Sequence, residues 1–129
     1  MSKLFMLTPS KGENGIIDCV VQTVKDAGAN PCPPIVIGVG IGGTMEKCAL
    51  LSKKALTRET GTFSKDERCA ELERKILERV NATGIGAQGF GGDITALAVA
   101  VETAPTHIGM LPVAVNIQCH SVRHFTTTF

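Results

Sequence analysis

A short apolar run followed by a glycine-rich turn constrains the fold of this chain more than any other feature. Ile35 to Ile37 lead directly into Gly38-Val39-Gly40-Ile41-Gly42-Gly43-Thr44. Glycines allow a tight turn and bring bare N–H groups up to an anion at the start of the following helix. We therefore expect a strand, a turn and a helix here, with Gly40, Gly42 and Gly43 beside a small bound anion.

Apolar spacing and capping residues predict two helices in the first half of the chain. The first is expected over about 15–27, with Gly28 as its C-cap. The second is expected over about 44–56, with Thr44 as its N-cap. Its predicted inward-facing residues are Ala49, Leu50 and Ala55.

Two further helices are predicted in the second half. Ser64 and Glu67 form a Ser-x-x-Glu capping box that starts a third helix. The buried face of that helix is expected to carry Cys69, Leu72, Ile76 and Val80. Asp93 is predicted to cap a fourth helix that extends to about Glu102.

Two buried strands are predicted, over 35–39 and 111–117, because both segments are apolar and rich in β-branched residues. Helices interleaved with buried strands indicate an α/β fold, with helices packed on a small sheet and residues 1–129 forming a single domain or a piece of one. Two strands are few for a complete sheet. We therefore expect the chain to be part of a larger domain.

The composition argues against nucleic acid and membrane surfaces as partners. The formal net charge is +1 over 129 residues, and the chain has no Trp and no Tyr. A nucleic-acid binder needs a basic surface and aromatic side chains on which bases stack. Five cysteines, without a signal segment or a membrane-spanning apolar stretch, are typical of a reducing compartment, so we expect a cytoplasmic protein.

The glycine-rich turn also satisfies the GxGxxG pattern of dinucleotide-binding proteins, through Gly38, Gly40 and Gly43. A nicotinamide-binding oxidoreductase would need an acidic residue about 20 residues further on, at the end of a second strand. Glu59 and Asp66 instead flank a loop between two predicted helices. The pattern therefore favours a small anion, such as a carboxylate, over a dinucleotide.

Two of the five cysteines have a context typical of metal ligands. Cys32 lies in Asn30-Pro31-Cys32-Pro33-Pro34, where the prolines hold the backbone around the thiol. Cys119 follows the last predicted strand, so both thiols border loops at strand ends, and we expect them to point into a common cleft. Cys19, Cys48 and Cys69 lie on predicted helices, where a cysteine is usually a small buried apolar residue.

The histidines leave alternatives open. His107 opens the last apolar segment, where a structural histidine is the simpler interpretation. His120 and His124 flank Arg123 near the end of the sequence, where the simpler interpretation is a solvated basic tail. Arg123 could hold a carboxylate through two hydrogen bonds.

Four blocks of sequence, in one order, resemble the class I fumarate hydratase and L(+)-tartrate dehydratase family. They are Asn30 to Thr44, Gly84 to Gly92, Thr106 to Asn116 and Gln118 to His124. The resemblance covers the second half of the family's N-terminal, or α, domain.

The resemblance implies a cofactor and a reaction. Members of the family hold a 4Fe-4S cluster through three cysteines, of which two match Cys32 and Cys119. The third belongs to an upstream block that this sequence does not contain. The family's substrate-contacting histidine matches His107, which is the implied catalytic residue, and N–H groups of the glycine turn would stabilise charge on the substrate. The cluster would act as a Lewis acid in the reversible hydration of fumarate to L-malate.

The resemblance also implies partners. A β-type subunit or C-terminal domain would supply further contacts to a four-carbon dicarboxylate substrate, within a homo-oligomer or hetero-oligomer. An L(+)-tartrate dehydratase α subunit and a non-catalytic assembly fragment remain alternatives, the latter because the third cysteine is missing.

Overall fold

Four strands form one mixed sheet in the computed structural model, which describes residues 1–120 and 124–129. They are β1 (Lys3–Leu7), β2 (Val36–Ile41), β3 (Ala98–Thr103) and β4 (Leu111–Gln118), in the order β1-β4-β2-β3. β2 and β3 are parallel, whereas β4 is antiparallel to both β1 and β2. The α/β class predicted from the sequence is confirmed.

Three α-helices cover the sheet. They are α1 (Gly12–Ala27), α2 (Met45–Ala55) and α3 (Glu67–Asn81), and short 3-10 turns occupy Pro9–Lys11 and Ala87–Gly89. α1 and α3 pack on one face, and α2 packs on the other. None of the helices in the described part of the chain is long and apolar enough to cross a membrane.

The face under α1 and α3 holds the larger apolar core. Ile37 and Val39 of β2 are fully buried there, together with Val20 of α1 and Ile76 of α3. Because side chains alternate along a strand, the residues between them point to the opposite face. The helix predicted over 15–27 is confirmed, and Gly28 ends it as predicted, with its N–H donating to the Val24 carbonyl at 3.1 Å.

The face under α2 is unusually close-packed because β2 presents glycines to it. A Cβ atom built on Gly40 would lie 2.0 Å from the Cys48 carbonyl oxygen, and one built on Gly38 would lie 2.3 Å from the Ser52 carbonyl oxygen. Both distances are far below contact, so any side chain would push α2 away from the sheet. The first two glycines of the GxGxxG pattern, Gly38 and Gly40, are thus explained by the close packing of α2 on β2.

The orientation predicted for α2 is partly wrong. Thr44 precedes the helix as its N-cap residue, as expected, and Ala55 is buried. Ala49 and Leu50, however, are exposed, and the residues that face the sheet are Cys48, Leu51, Ser52 and Ala55. The prediction failed because β2 presents only glycines to the helix, so the face of α2 that contacts this strand is small and partly polar.

The capping box predicted for α3 is wrong, although the helix and its buried face are confirmed. Asp66 is the N-cap, and its Oδ1 accepts from the backbone N–H groups of Arg68 and Cys69 at 2.9 and 3.1 Å. Ser64 lies further out and accepts a hydrogen bond from the Asp66 N–H.

The fourth helix predicted from Asp93 is also wrong, because Ala98–Thr103 form strand β3. Val99 and Val101 face the apolar core, while Ala100 between them lies on the face covered by α2. A short alternation of alanine and valine suits a helix or a strand equally. With β1 also present, the sheet has four strands, and the expectation that it has too few is wrong.

Replacing Gly40 with alanine should destabilise the fold strongly. The new methyl group would meet backbone atoms of α2, which cannot rotate away, so we expect Gly40→Ala to lower the free energy of unfolding by about 3 kcal/mol. Gly109→Ala is the matched control, because its Cβ would meet only the side chain of His107, at 3.2 Å. Urea unfolding measures both, and equal stability of the two variants would contradict the packing described.

Candidate functional site

The two predicted ligand cysteines lie at one end of the sheet, which we call the cysteine end and which comprises the start of β2 and the end of β4. Val36, the first residue of β2, pairs with Gln118, the last residue of β4. Cys32 precedes this pair and Cys119 follows it, and the His120 N–H donates to the Cys32 carbonyl at 3.4 Å. Cys32 is exposed and Cys119 is half-buried. The two cysteines therefore share one side of the domain, whereas the common cleft expected for both thiols stays a prediction.

A cavity of about 640 Å³ opens beside Cys119. We call it the Cys119 cavity. Its size is within the range of ordinary small-molecule sites. Apolar side chains form part of the wall, and polar and charged ones the rest; the polar and charged lining residues other than Cys119 are Thr57, Arg58, Glu59, Thr60, Gln118, His120, His124 and Thr126.

Arg58 is held in this wall by a buried carboxylate. The fully buried side chain of Glu73, on α3, forms an ion pair with the Arg58 guanidinium through Nη2 and Oε1. Glu73 also accepts from the N–H groups of Val101, at 2.8 Å, and Ser64, at 3.0 Å. Three donors offset the cost of burying the carboxylate, and they fix the position of Arg58 relative to β3 and α3.

The glycine-rich turn lies at the opposite end of the sheet, which we call the histidine end and which comprises the end of β2 and the start of β4. The Gly42 N–H donates to the Pro112 carbonyl at 2.9 Å, and the Gly43 N–H donates to the Pro105 carbonyl at 3.1 Å. Both N–H groups are thus engaged within the domain. The assignment of Gly40, Gly42 and Gly43 to substrate binding stays a prediction.

His107 also lies at the histidine end, in the loop between β3 and β4. It is exposed, and its Nδ1 accepts from the Gly109 N–H at 3.0 Å, so a neutral ring carries its proton on Nε2. It borders a mainly apolar groove of about 520 Å³ that also contacts Ile16, Leu72 and Leu111.

The structure does not bring His107 and the two cysteines together within one chain. His107 precedes β4, Cys119 follows it, and the strand runs from Leu111 to Gln118. At about 3.4 Å per residue, β4 alone separates the two ends by roughly 24 Å. A small substrate cannot span that distance.

The three cysteines predicted to be structural are buried, as expected. Burial raises the pKa of the Cys19, Cys48 and Cys69 thiols, since a thiolate is poorly solvated in the interior. The Cys48 thiol donates to the Met45 carbonyl at 3.2 Å. These thiols are protonated and inert at neutral pH.

Complete metal sites are not found in residues 1–120 and 124–129, where no group of three or more His, Cys, Asp and Glu side chains is placed to hold an ion. Cys32 and Cys119 could therefore provide only part of a cluster's ligands. Arg123, considered above as a carboxylate ligand, lies outside the described residues.

The sequence reasoning missed Arg58. Its neighbours Thr57, Glu59 and Thr60 form a polar loop after α2 and carry no motif. No spacing rule relates this loop to the end of β4, because only the packing of α2 across the sheet brings the two together. The only hint in the sequence was that an arginine lies in the loop after α2, a helix that runs toward the cysteine end of the sheet.

The chain is an α/β unit with two cysteines at one end of its sheet, and sequence comparison assigns it to a family. The family model described as fumarate hydratase (fumerase) matches residues 1–128. The chain therefore belongs to the fumarate hydratase family, as the four blocks of sequence predicted.

Two relatives are longer than this chain. A Methanocaldococcus jannaschii protein provisionally named L(+)-tartrate dehydratase subunit alpha is 51% identical over 123 residues, which are 95% of this chain and 43% of that protein. The L(+)-tartrate dehydratase subunit alpha of Escherichia coli strain K12 is 36% identical over 121 residues, which are 94% of this chain and 40% of that protein. The chain thus spans less than half the length of these relatives.

Thiol alkylation should separate the cysteines by burial. With iodoacetamide at pH 8, we expect the exposed Cys32 to react first, and Cys19, Cys48 and Cys69 to react only after unfolding, because their raised pKa values keep them protonated. Peptide mass spectrometry against time measures each rate. Labelling of Cys69 as fast as that of Cys32 in the folded chain would contradict this assignment.

Proposed function

We propose that this chain is the cysteine-bearing α part of an iron–sulfur hydro-lyase that adds water to, or removes it from, a four-carbon dicarboxylate. The observation that carries the proposal is the placement of Cys32 and Cys119 side by side at one sheet end, in a chain that matches the fumarate hydratase family over residues 1–128. Both cysteines differ in this respect from Cys19, Cys48 and Cys69, which are buried.

Cys32 and Cys119 would hold a 4Fe-4S cluster through their thiolates. Cysteine sulfur is the donor that such clusters require, and the two backbones are already joined by the hydrogen bond from His120 to Cys32. A third ligand would come from polypeptide beyond the described residues. When bound, the cluster would supply a Lewis acid at the substrate hydroxyl, so that the protein needs no strong acid there.

Residues of the chain itself would then hold and orient the substrate. The Cys119 cavity offers N–H and hydroxyl donors to carboxylates next to the cysteine end. Its apolar lining, which includes the buried Leu56, would contact the carbons between those carboxylates. Orientation of this kind supplies much of the rate in a reaction whose substrate is small.

Two substrates fit the same bond changes. Dehydration of L(+)-tartrate breaks one C–O bond and the neighbouring C–H bond, releases water and leaves the enol of oxaloacetate. Hydration of fumarate to L-malate is the reverse kind of change, because it forms one C–O bond and the neighbouring C–H bond. The names of the relatives support L(+)-tartrate, and the description of the family supports fumarate. The relatives' designation as alpha subunits supports a β-type partner subunit for this chain.

Replacing either ligand cysteine should remove iron, whereas replacing a buried one should not. In the assembled enzyme purified without oxygen, we expect Cys32→Ser and Cys119→Ser each to lower iron content and the turnover of L(+)-tartrate or fumarate at least about tenfold. Cys69→Ser is the control, because Cys69 is buried and should lose only packing stability. Iron and sulfide analysis measures retention, and iron lost by Cys69→Ser but kept by Cys32→Ser would reverse the assignment.

His107 can act on a substrate at the cysteine end only if a second copy of the chain supplies it. Its own Cys119 is roughly 24 Å away along β4. His107 is exposed on a loop, where a neighbouring copy could be reached. The proposal therefore includes a homo-oligomer in which the histidine end of one copy meets the cysteine end of another.

Mixed oligomers test this arrangement. His107→Asn and Cys119→Ser copies should each be inactive, but a hybrid carrying one of each, isolated through two different tags, should keep one intact site and about half of the wild-type activity, since a twofold dimer has two equivalent sites. Dimers of two His107→Asn copies, which have no intact site, are the control. Folded, iron-containing mixed hybrids without activity would show that His107 does not act across copies.

A further inference from the structure

The Cys119 cavity contains a cationic group whose hydrogen-bonding capacity is mostly unused. A guanidinium carries five N–H donors. Among the described residues, Arg58 makes one side-chain hydrogen bond, from Nη2 to Glu73, and its Nε is buried without an acceptor. Because Nε has no exposed surface, a ligand in the cavity would meet the remaining donors of the Nη groups.

The position of Arg58 suits anion recognition. Glu73, with no exposed surface, holds the guanidinium on one side, while 21% of the Arg58 side chain remains exposed and borders the cavity. A side chain held in place by a buried partner loses little further conformational entropy on binding. Arginine can also pair with a carboxylate through two parallel hydrogen bonds.

The other polar residues of the cavity indicate which functional groups, besides a carboxylate, the ligand would have. His120 and His124 line the same cavity, and a neutral imidazole supplies one N–H donor. Glu59 lies there too, and its carboxylate accepts hydrogen bonds but repels a second negative charge. A ligand that places a carboxylate near Arg58 and a hydroxyl near Glu59 satisfies both groups.

We propose that the Cys119 cavity binds a short hydroxy acid, with its carboxylate on Arg58, its hydroxyl hydrogen donated to Glu59 and further hydrogen bonds from His120 and His124. The inference rests on the proposed function, because the hydroxy acid would be the hydro-lyase substrate bound beside the cluster ligand Cys119. It adds Arg58, which no sequence pattern indicated, as the residue that determines specificity for a carboxylate.

Ligand titration of the full 129-residue chain tests the site without iron. In two-dimensional ¹H–¹⁵N spectra, L(+)-tartrate should shift the Arg58 Nε–H resonance saturably. Succinate, which lacks a hydroxyl, and inorganic phosphate should bind at least about tenfold more weakly, because a site built around a hydroxyl discriminates against analogues without one. Absence of a saturable shift with tartrate, or equal affinity for succinate or phosphate, would overturn the proposal.

Matched variants separate recognition from folding. Arg58→Lys keeps a positive charge opposite Glu73 but loses the planar pair of donors, so tartrate affinity should fall at least about tenfold. His124→Gln does not touch Glu73 and should weaken binding without loss of the folded spectrum. Arg79→Lys is the control, since Arg79 is exposed on α3 near Asp18, outside the cavity. Unchanged affinity in folded Arg58→Lys and His124→Gln chains would also overturn the proposal.

Iron analysis makes the two proposals distinguishable. Arg58→Lys in the assembled enzyme should keep its iron and lose apparent affinity for substrate, because Arg58 holds the ligand and not the cluster. Loss of iron in Cys32→Ser but no effect of Arg58→Lys on substrate affinity would overturn this inference alone. Tartrate binding that depends on Arg58, together with full iron retention in both cysteine variants, would support the cavity and contradict the proposed function.

Discussion

The direct contact of the α2 backbone with Gly38 and Gly40 is the constraint on which the rest of the structure depends. Because no side chain intervenes, α2 lies against β2 along its length, from the glycine turn at the histidine end to Leu56 near the cysteine end. The Gly42 and Gly43 hydrogen bonds to Pro112 and Pro105 hold the turn that precedes α2. Because α2 lies directly on the strand, the loop after it reaches the Cys119 cavity, where Arg58 lies.

Strand β4 sets the distance between the two candidate centres. A strand is nearly inextensible, so His107 before it and Cys119 after it cannot approach each other without breaking the sheet. The antiparallel pairing with β2 also brings Cys32 to the Cys119 end, because Val36 lies opposite Gln118. The same strand therefore places Cys32 and Cys119 at one end of the sheet and His107 at the other.

Glu73 connects the core to the candidate ligand site. A carboxylate with no exposed surface is costly unless its oxygens are satisfied, and here Arg58, Val101 and Ser64 all donate to it. These bonds tie the loop after α2 to both α3 and the edge strand β3. Arg58 is thus positioned by the folded core rather than by its own loop, which suits a group that must meet a small anion.

The sequence by itself determined the elements with strong local patterns: α1 with its Gly28 cap, the buried face of α3, and strands β2 and β4. It also distinguished Cys32 and Cys119 from the buried cysteines, because proline and loop context are local signals. It failed where alanine and valine alternate in β3, a pattern that helix and strand share. Only the tertiary structure decided that Arg58 lines the same cavity as Cys119 and that His107 lies far from it. Those relations depend on strand register and on helix packing across the sheet, which join segments distant in the chain and leave no local pattern.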